Sequence, residues 1–341
     1  MREPAFWHRP PSLLSRLLAP LGAIYGAVAA RRMARPGASA NVPVICVGNY
    51  HVGGAGKTPT TVALVALLRD LGEQPFVVSR GYGGSLQGPI RVDVNSHKAA
   101  DVGDEPLMMA ATMPVIVARD RAAGAELARV QRASVVVLDD GFQNPALSKD
   151  ASLIVIDSVR GTGNGAVFPA GPLRAPLAAQ IARTDALVVI GAGRAADGVA
   201  AALTKRNAPV LRGQLVPDDA SVTLLRGQRV LAFAGIGDPG RFFATLSSSG
   251  VEVVGTRVFD DHHPYTPDDI ARLVAEAAAK SLLLVTTAKD MARILSDAKL
   301  AHHAANISVF AVTLRFDNEG DLRAFVIERL AAAREALRRR Q

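Results

Sequence analysis

A glycine-rich segment that ends in Lys-Thr-Pro is the first place where residue types and spacing predict chemistry. An apolar run leads into Val-Gly-Asn-Tyr-His-Val-Gly-Gly-Ala-Gly-Lys-Thr-Pro, which ends at Pro59. Glycines let successive backbone N–H groups turn toward one anion, and a helix that begins at the loop adds partial positive charge. We expect Lys57 to reach the β- and γ-phosphates of a nucleotide and the Thr58 hydroxyl to bind Mg²⁺. The residues predicted to bind ATP here are Gly53, Gly54, Ala55, Gly56, Lys57, Thr58 and Pro59.

The spacing of this loop departs from the strict phosphate-loop pattern, in which a further glycine stands five positions before the glycine of Gly-Lys-Thr. His51 occupies that position, and the other loop glycines are Gly53 and Gly54. The order of strand, loop and helix still favours a phosphate loop. The alternative is a glycine-rich turn in which Lys-Thr stands by chance.

Two adjacent aspartates follow a second apolar run. The segment Val-Val-Val-Leu-Asp-Asp-Gly-Phe-Gln-Asn ends at Asn144. A carboxylate at the end of a buried strand beside a phosphate loop can bind Mg²⁺ directly or through water. We therefore predict that Asp139 and Asp140 serve the metal. Gln143 can order a phosphate or a water, or can be an ordinary loop residue, and both interpretations stay open.

Acids and histidines occur together in two further segments. Val-Gly-Asp-Glu-Pro places Asp104 and Glu105 at the start of a helix. Acids at this position often cap the helix, whereas the functional alternative is a general base for a substrate hydroxyl with a second acid near the metal. Phe-Asp-Asp-His-His-Pro-Tyr ends at Tyr265. It fits a metal site, a histidine that assists the base, or a polar loop, and spacing alone does not decide.

Other polar residues stand at or after strand ends, where the ligand loops of open α/β sheets lie. Arg80 and Arg174 are candidate phosphate-binding residues, and each can equally be a solvated loop arginine. The tripeptide Ala-Lys-Asp at 288–290 has the same placement. Cys46 lies inside the first strand and is predicted to be a small buried apolar residue.

The elements that must position these residues follow an α/β pattern. Short β-branched runs alternate with Ala- and Leu-rich stretches, which predicts parallel strands with helical crossovers. The predicted strands of a first set are Val44–Val47, Phe76–Ser79, Val115–Ala118, Val135–Leu138, Leu153–Ile156 and Leu187–Ile190. The predicted helices are Thr60–Leu71, Glu105–Met109, Arg121–Arg132 and Ala195–Lys205. A second set has strands at Val230–Ala234, Val251–Val254, Leu282–Thr286 and Val309–Val312.

The segment between the two sets alternates weakly at Pro209–Val216 and Ser221–Leu225, which predicts a short ribbon that joins two domains. The length of 341 residues is consistent with two domains. We therefore predict an N-terminal helical region at 1–40, a phosphate-loop lobe at 41–208, a two-stranded linker at 209–226 and a C-terminal α/β lobe at 227–341.

Composition excludes several classes of protein. With 49% hydrophobic and 21% charged residues the chain is neither disordered nor fibrous, and one cysteine excludes a disulfide framework or a multi-cysteine metal site. The net charge of +8 is concentrated at the ends, since residues 1–35 hold six arginines and one acid, and four arginines crowd the C-terminus. Low aromatic content of 5% argues against stacking on single-stranded nucleic acid.

The N-terminal basic residues flank an apolar run, Leu17 to Ala30. Its 14 residues are too few to span a bilayer, and no cleavage site of a secretory signal is evident. Two interpretations stay open: a helix that lies in a membrane interface, and a helix packed on the protein's own core. Arginines that flank an apolar run are a poor match to nucleic acid.

The ordered series of motifs resembles the tetraacyldisaccharide 4′-kinase family, the lipid A 4′-kinases. The resemblance runs nearly end to end and includes the Phe-Trp start, Gly-Gly-Ala-Gly-Lys-Thr-Pro, Ser-Arg-Gly-Tyr-Gly, Val-Gly-Asp-Glu-Pro, Leu-Asp-Asp-Gly-Phe-Gln, Pro-Ala-Gly-Pro-Leu-Arg, Ala-Phe-Ala-Gly-Ile-Gly-Asp-Pro, Asp-His-His and Lys-Asp. It implies two α/β/α lobes, the first like P-loop NTPases and the smaller second one Rossmann-like, joined by a two-stranded linker. It also implies an N-terminal helix at the membrane interface.

The function that the resemblance implies is transfer of the γ-phosphate of ATP, with Mg²⁺, to the 4′-hydroxyl of tetraacyldisaccharide 1-phosphate to give lipid IVA. The implied location is the cytoplasmic face of the bacterial inner membrane, and we expect a monomer that binds no nucleic acid. By analogy Asp104 is the catalytic base and His262 its partner from the second lobe, with Lys57 at the transferring phosphate. Asp139, Asp140 and Glu105 then serve Mg²⁺ or the phosphates.

Two departures from the family pattern affect the metal site. Ala175 and Ala288 stand where the family often has glutamate. Two rival functions also remain: a P-loop nucleotide switch, either a GTPase or a metallochaperone, and a membrane-bound nucleotide sensor without catalysis. A guanine-reading Asn-Lys-x-Asp is absent, and one cysteine offers little to a metal relay.

Overall fold

Two largely parallel sheets form the frame of the protein. The structure is a computed structural model that describes residues 4–340, so Arg2, one of the predicted N-terminal basic residues, lies outside the described residues. The strands in chain order are β1 (Val44–Asn49), β2 (Pro75–Ser79), β3 (Ile90–Arg91), β4 (Val115–Val117), β5 (Val135–Asp139), β6 (Ala151–Asp157), β7 (Ala186–Ile190), β8 (Val210–Pro217), β9 (Arg229–Ala234), β10 (Glu252–Val258), β11 (Leu283–Thr286), β12 (Ile307–Val309) and β13 (Val312–Phe316).

The order of strands defines a larger and a smaller sheet. The larger sheet runs β13-β8-β7-β6-β1-β5-β2-β4-β3 and the smaller one β10-β9-β11-β12. Strands β1, β2, β5, β6 and β7 are buried along their whole length, which is why they read as continuous apolar runs. The predicted α/β class with mostly parallel sheets is confirmed.

Helices cover both faces of the sheets and account for most crossovers. They are α1 (Leu13–Met33), α2 (Lys57–Asp70), α3 (Ala99–Val102), α4 (Asp104–Ala110), α5 (Arg121–Val130), α6 (Leu177–Ile181), α7 (Asp197–Thr204), α8 (Asp219–Leu225), α9 (Pro239–Ser248), α10 (Pro267–Ala279), α11 (Ala288–Ser296) and α12 (Glu319–Arg338), with 3₁₀ turns at Ala5–His8 and Ala301–Asn306. Side-chain caps fix several starts, as where Asp120 accepts from the backbone at the start of α5 and Thr287 at the start of α11.

The predicted ribbon at 209–226 differs from the structure. Its first half is β8, but its second half lies in α8, because the Asp218 carboxylate accepts from Ser221 N at 3.1 Å and caps a helix there. The antiparallel partner of β8 is β13, with Leu215 opposite Leu314. The predicted strand Val309–Val312 is likewise wrong as a single element, because β12 ends at Val309 and β13 begins at Val312.

The chain therefore leaves the larger sheet after β8, forms the smaller sheet with β9–β12, and returns to the larger sheet at β13. Helix α12 packs Leu322, Phe325 and Val326 into the core of the larger sheet. We call the larger sheet with its helices, including β13 and α12, the first lobe, and the smaller sheet with α8–α11 the second lobe. This grouping differs from the predicted unit 227–341, since an amphipathic C-terminal helix does not reveal in sequence which sheet it covers.

Helix α1 packs against the first lobe by a narrow stripe of small residues. A Cβ at Gly22 would lie 2.8 Å from the Val167 carbonyl oxygen, so the helix approaches closely only because glycine stands there. Its other face exposes Leu13, Leu14, Leu17, Leu21, Ile24, Tyr25 and Val28. The helix has 21 residues and by length and composition could cross a membrane, unlike the shorter run expected from the sequence, and 17% of its most apolar window is buried.

Candidate active site

The predicted phosphate loop lies between β1 and α2. Its backbone takes positive φ at Gly53 (100°) and Gly56 (90°), a region that side chains disfavour. A Cβ at Gly56 would lie 2.4 Å from Ile190 Cδ1, so this position is closed to larger residues on two counts. Asn49 Nδ2 donates to Gly53 O at 3.1 Å and fixes the start of the loop. Helix α2 begins at Lys57, so the predicted order of strand, loop and helix is what the structure contains.

Asp139 and Asp140 lie beside this loop because β5 pairs with β1. Val47 and Asp139 are opposite each other in the parallel register, and Asp140 N donates to Val47 O at 3.0 Å. Asp140 has a left-handed backbone, with φ of 54°. Its carboxylate accepts two bonds from Arg174, Nη1 to Oδ1 at 2.7 Å and Nη2 to Oδ2 at 3.1 Å. Lys57 Nζ lies 3.9 Å from Asp140 Oδ2, so one carboxylate contacts two other predicted site residues, Arg174 and Lys57.

Asp139 is the carboxylate whose surroundings fit a cation. It is 2% exposed, its Oδ2 accepts from Ser79 Oγ at 3.2 Å, and its Oδ1 is buried without a hydrogen-bond partner. Burial, together with the negative charges of Glu105 and Asp140, raises the pKa of Asp139 to about 7. A divalent cation would supply the missing partner and favour the ionised form. Thr58, also buried, is the second residue of the adjacent helix α2.

The metal donors are few. Within residues 4–340 no group of three or more His, Cys, Asp and Glu side chains is arranged to hold a metal ion. Asp140 is engaged by Arg174, and Glu105 forms an ion pair with Lys289. Such a set suits Mg²⁺, which takes one or two carboxylates and completes its shell with water and substrate phosphates. Of the predicted ligands, Asp139 and Thr58 fit without breaking an existing contact.

Asp104 meets the second lobe at the start of α4. His262 Nδ1 lies 2.8 Å from Asp104 Oδ2, and Arg293 Nε donates to the same oxygen at 2.6 Å. Burial alone would raise the pKa of Asp104, but the bond with His262 and the Arg293 guanidinium hold it below its usual value. The bond to Asp104 in turn raises the pKa of His262.

The two adjacent histidines have separate surroundings, as expected for neighbours in a chain. His262 has a left-handed backbone, with φ of 60°, and its N–H donates to Gly235 O at 3.1 Å. This conformation directs its ring toward Asp104. His263 instead lies 3.1 Å from Asp269 and stacks beside Phe259 within the second lobe. Of the pair, His262 is the one that reaches the predicted base.

Gln143 and Arg80 are less directly placed than predicted. Gln143 Nε2 donates to Asn49 O at 2.7 Å and to Gln180 Oε1 at 2.9 Å, so it braces the segment before the phosphate loop. Arg80 is exposed just after β2. A buried arginine near Asp139 is Arg121, whose Nη1 donates to Ala118 O at 2.6 Å and whose Nη2 donates to Asp139 O at 3.5 Å. Cys46 is fully buried, as predicted, and burial raises the pKa of its thiol to about 12.

Sequence reasoning missed the contacts made by α11. Lys289 pairs with Glu105, Arg293 donates to Asp104, and Ser296 Oγ accepts from Ala99 N at 3.3 Å. These three residues stand at i, i+4 and i+7, which places them on one helix face. A polar stripe opposite an apolar stripe on α11 was the sequence signal that could have found these residues. Nothing in the local sequence indicates which surface the polar stripe contacts.

A cleft of about 2400 Å³ lies between the lobes. The phosphate loop and Glu105 line it from the first lobe, and Phe242 and Lys289 from the second. On its far side, Arg241 Nη1 lies 3.1 Å from Asp157 Oδ2. The cleft is thus bordered by ionic contacts between the lobes on both sides.

Comparisons with known proteins agree with this geometry. The family model described as "Tetraacyldisaccharide-1-P 4'-kinase" matches residues 14–331. Proteins named tetraacyldisaccharide 4′-kinase from Rhodopseudomonas palustris (strain BisB5) and Bradyrhizobium diazoefficiens are 65% and 64% identical to the chain, and each alignment covers 98% of both sequences. A crystal structure of the "apo" form of LpxK from Aquifex aeolicus in complex with ATP has a TM-score of 0.71 at 26% identity and covers 93% of this chain and 100% of its own.

Proposed function

The chain belongs to the tetraacyldisaccharide 4′-kinase family, and from that membership we propose how its own residues perform the transfer. The reaction moves the γ-phosphate of ATP to the 4′-hydroxyl of a tetraacyldisaccharide 1-phosphate and gives lipid IVA in lipid A biosynthesis. The observation that supports the assignment of roles is the contact of Asp104 with His262, whose chain neighbours Glu105 and Asp261 line the same cleft as the phosphate loop.

The first lobe holds the donor. Residues Gly53 to Pro59 form the phosphate-binding loop, in which the backbone N–H groups from Gly53 to Thr58 surround the phosphates at the start of α2, where the helix dipole favours an anion. Lys57 neutralises charge on the transferring group, and Arg174 adds its charge beside Asp140. Arg80 and Gln143 act from farther away, Gln143 by holding Asn49 and so the loop.

Mg²⁺ is the metal expected with ATP, and when bound it neutralises charge on the β- and γ-phosphates. Asp139 and Thr58 would hold it, with Asp140 and Glu105 close enough to act through water. Ala175 and Ala288 add no carboxylate to this set. A buried Asp139 with a raised pKa binds a cation more readily as the pH rises, because deprotonation and metal binding favour each other.

Asp104 receives the proton of the 4′-hydroxyl. Its Oδ2 is occupied by His262 and Arg293, which leaves Oδ1 as the oxygen that a substrate hydroxyl can approach. A loose transition state needs little early deprotonation, so the base mainly orients the hydroxyl and accepts its proton late. His262 orients Asp104 only when the lobes are together, and this arrangement restrains transfer to water.

The N-terminal helix places the enzyme at the membrane. The exposed apolar face of α1, flanked by Arg16, Arg31 and Arg32, suits an interface with anionic lipid. We place this surface at the cytoplasmic face of the bacterial inner membrane, where ATP and an acylated substrate meet. We also propose that the active form is a monomer.

A transfer assay tests the reaction and the base separately. Purified protein is incubated with γ-labelled ATP, Mg²⁺ and tetraacyldisaccharide 1-phosphate in detergent micelles, beside Lys57→Ala, Asp104→Asn, His262→Gln and His263→Gln. Label should appear on the lipid with wild type and fall at least about 100-fold with Lys57→Ala and Asp104→Asn. His262→Gln should impair transfer and His263→Gln should not. Nucleotide hydrolysis without labelled lipid would instead indicate a nucleotide switch.

A further inference from the structure

Arg293 is a buried cation that joins the proposed base to the interior of the second lobe. Its side chain is 6% exposed, and its Nε donates to Asp104 Oδ2 at 2.6 Å. The other end of the guanidinium donates through Nη1 to Gly235 O at 3.0 Å and to Asp290 Oδ1 at 2.6 Å. One planar group therefore holds three oxygens, one from the first lobe and two from the second.

The anchor on the second-lobe side is fully buried. Asp290 accepts from Tyr265 OH at 2.9 Å, from Thr287 Oγ1 at 2.7 Å and from Gly235 N at 3.1 Å, besides Arg293. The carbonyl oxygen of Gly235 also accepts a hydrogen bond from the backbone N–H of His262. Arg293 and His262 thus both donate to the Gly235 carbonyl oxygen, and both contact the same carboxylate oxygen, Asp104 Oδ2.

We infer that Arg293 is a positioning residue for phosphoryl transfer: it fixes the rotation of the Asp104 carboxylate so that Oδ1 faces the acceptor hydroxyl when the lobes meet. The inference rests on the proposed role of Asp104 as the base. Two donors at one oxygen define the plane of a carboxylate, whereas one donor lets it rotate. Misplacing a reacting oxygen by about 1 Å can cost about 100-fold in rate.

The geometry of arginine is essential to this role. A lysine at 293 keeps one positive charge but cannot donate to Asp104 and to the Gly235 turn through a rigid fork. Arg293→Lys therefore tests geometry, and Arg293→Met tests the loss of both charge and geometry. Arg272→Met is the matched control, because Arg272 lies in the same lobe on helix α10, its side chain is 76% exposed, and its Nη2 lies 2.7 Å from Asp269 Oδ1.

The measurements are kcat and KM for both substrates, normalised to the folded fraction, together with ATP binding by equilibrium dialysis. Arg293→Met should lower kcat about 30- to 100-fold and Arg293→Lys about 10-fold, while KM for ATP stays within about 3-fold. Arg272→Met should leave both constants unchanged. Tyr265→Phe loosens the Asp290 anchor without touching Asp104, and should lower kcat less than either Arg293 variant.

A double-mutant cycle separates positioning from a structural role. Once Asp104 is replaced by Asn, Arg293→Met should lower kcat by less than about 3-fold more, because there is no base left to orient. If Arg293→Met lowers kcat as much in the Asp104→Asn background as in wild type, the inference is overturned. It is also overturned if Arg293→Met alone keeps the wild-type kcat while Asp104→Asn loses activity. Wild-type turnover in Asp104→Asn would instead refute the base itself. If Arg293→Met does not fold, the same cycle is run with Arg293→Lys.

Discussion

Replacing Gly56 by alanine should destabilise the first lobe much more than the same change two residues earlier. Gly56 has φ of 90° and a Cβ there would lie 2.4 Å from Ile190 Cδ1, whereas a Cβ at Gly54 meets nothing within 4 Å. Left-handed backbone costs a non-glycine residue about 1–2 kcal/mol. Forcing one extra methyl into a packed site costs about 1–3 kcal/mol more. We therefore expect Gly56→Ala to lose about 2–5 kcal/mol of unfolding free energy and Gly54→Ala less than about 1 kcal/mol.

The two contributions can be separated with a second substitution. Ile190→Val removes the Cδ1 atom that the new methyl would meet, at a cost of about 0.5–1.5 kcal/mol by itself. In the double variant the steric part should be relieved and the backbone part should remain, which gives a favourable coupling of about 1–3 kcal/mol. Gly56→Ala should also lose ATP binding, since the loop N–H groups are displaced.

Urea unfolding followed by far-ultraviolet circular dichroism and by fluorescence measures these values. Trp7, the single tryptophan of the sequence, is buried and its Nε1 donates to Pro169 O at 3.1 Å, so its emission reports on the first lobe. Equal unfolding free energies for Gly56→Ala and Gly54→Ala would refute the reasoning. Additivity of Gly56→Ala and Ile190→Val would refute the steric part alone.

Three further predictions concern His262, Arg174 and the N-terminal helix α1. Because contact with Asp104 raises the pKa of His262, the pair should stabilise the fold fully below the ordinary histidine pKa of about 6.5 and lose that stabilisation as pH rises through the raised value. The unfolding free-energy difference between wild type and His262→Gln should therefore be smaller at pH 9 than at pH 6. Arg174→Lys should lower kcat/KM for ATP about 10- to 100-fold in the transfer assay, because a lysine cannot reproduce the paired bonds to Asp140. Leu17→Gln should weaken binding to anionic vesicles about 10-fold in a flotation assay. The control Val130→Gln, at an exposed apolar position on α5, should leave this binding unchanged. Equal effects of the two substitutions would argue against docking through α1.

The donor half of the site could be predicted because its determinants are local. Glycines, Lys57 and Thr58 follow one strand, and a single parallel register brings Asp139 beside them. Alternation of apolar runs and helices predicted the sheets for the same reason. The predicted second strand of the ribbon was wrong because a single residue, Asp218, caps a helix there. Weak alternation of apolar and polar residues does not reveal such a cap.

The acceptor half could be predicted only through a family resemblance. His262 and Arg293 meet Asp104 across sequence separations of 158 and 189 residues, and no local pattern in either segment indicates this pairing. Arg293 lies in an amphipathic helix, where a charged residue ordinarily faces solvent. Its burial follows from how α11 docks on α3 and α4, and the sequence of α11 does not display this docking.

This division of the site between lobes has a chemical consequence. The phosphate loop, Asp139 and Asp140 belong to the first lobe and are positioned by one continuous sheet. The orientation of Asp104 depends on His262 and Arg293, which arrive only with the second lobe. Contacts on the other side of the cleft, Arg241 with Asp157, require the same approach. We propose that an enzyme built this way binds ATP first and completes the orientation of its base last, and so favours the lipid hydroxyl over water as the acceptor.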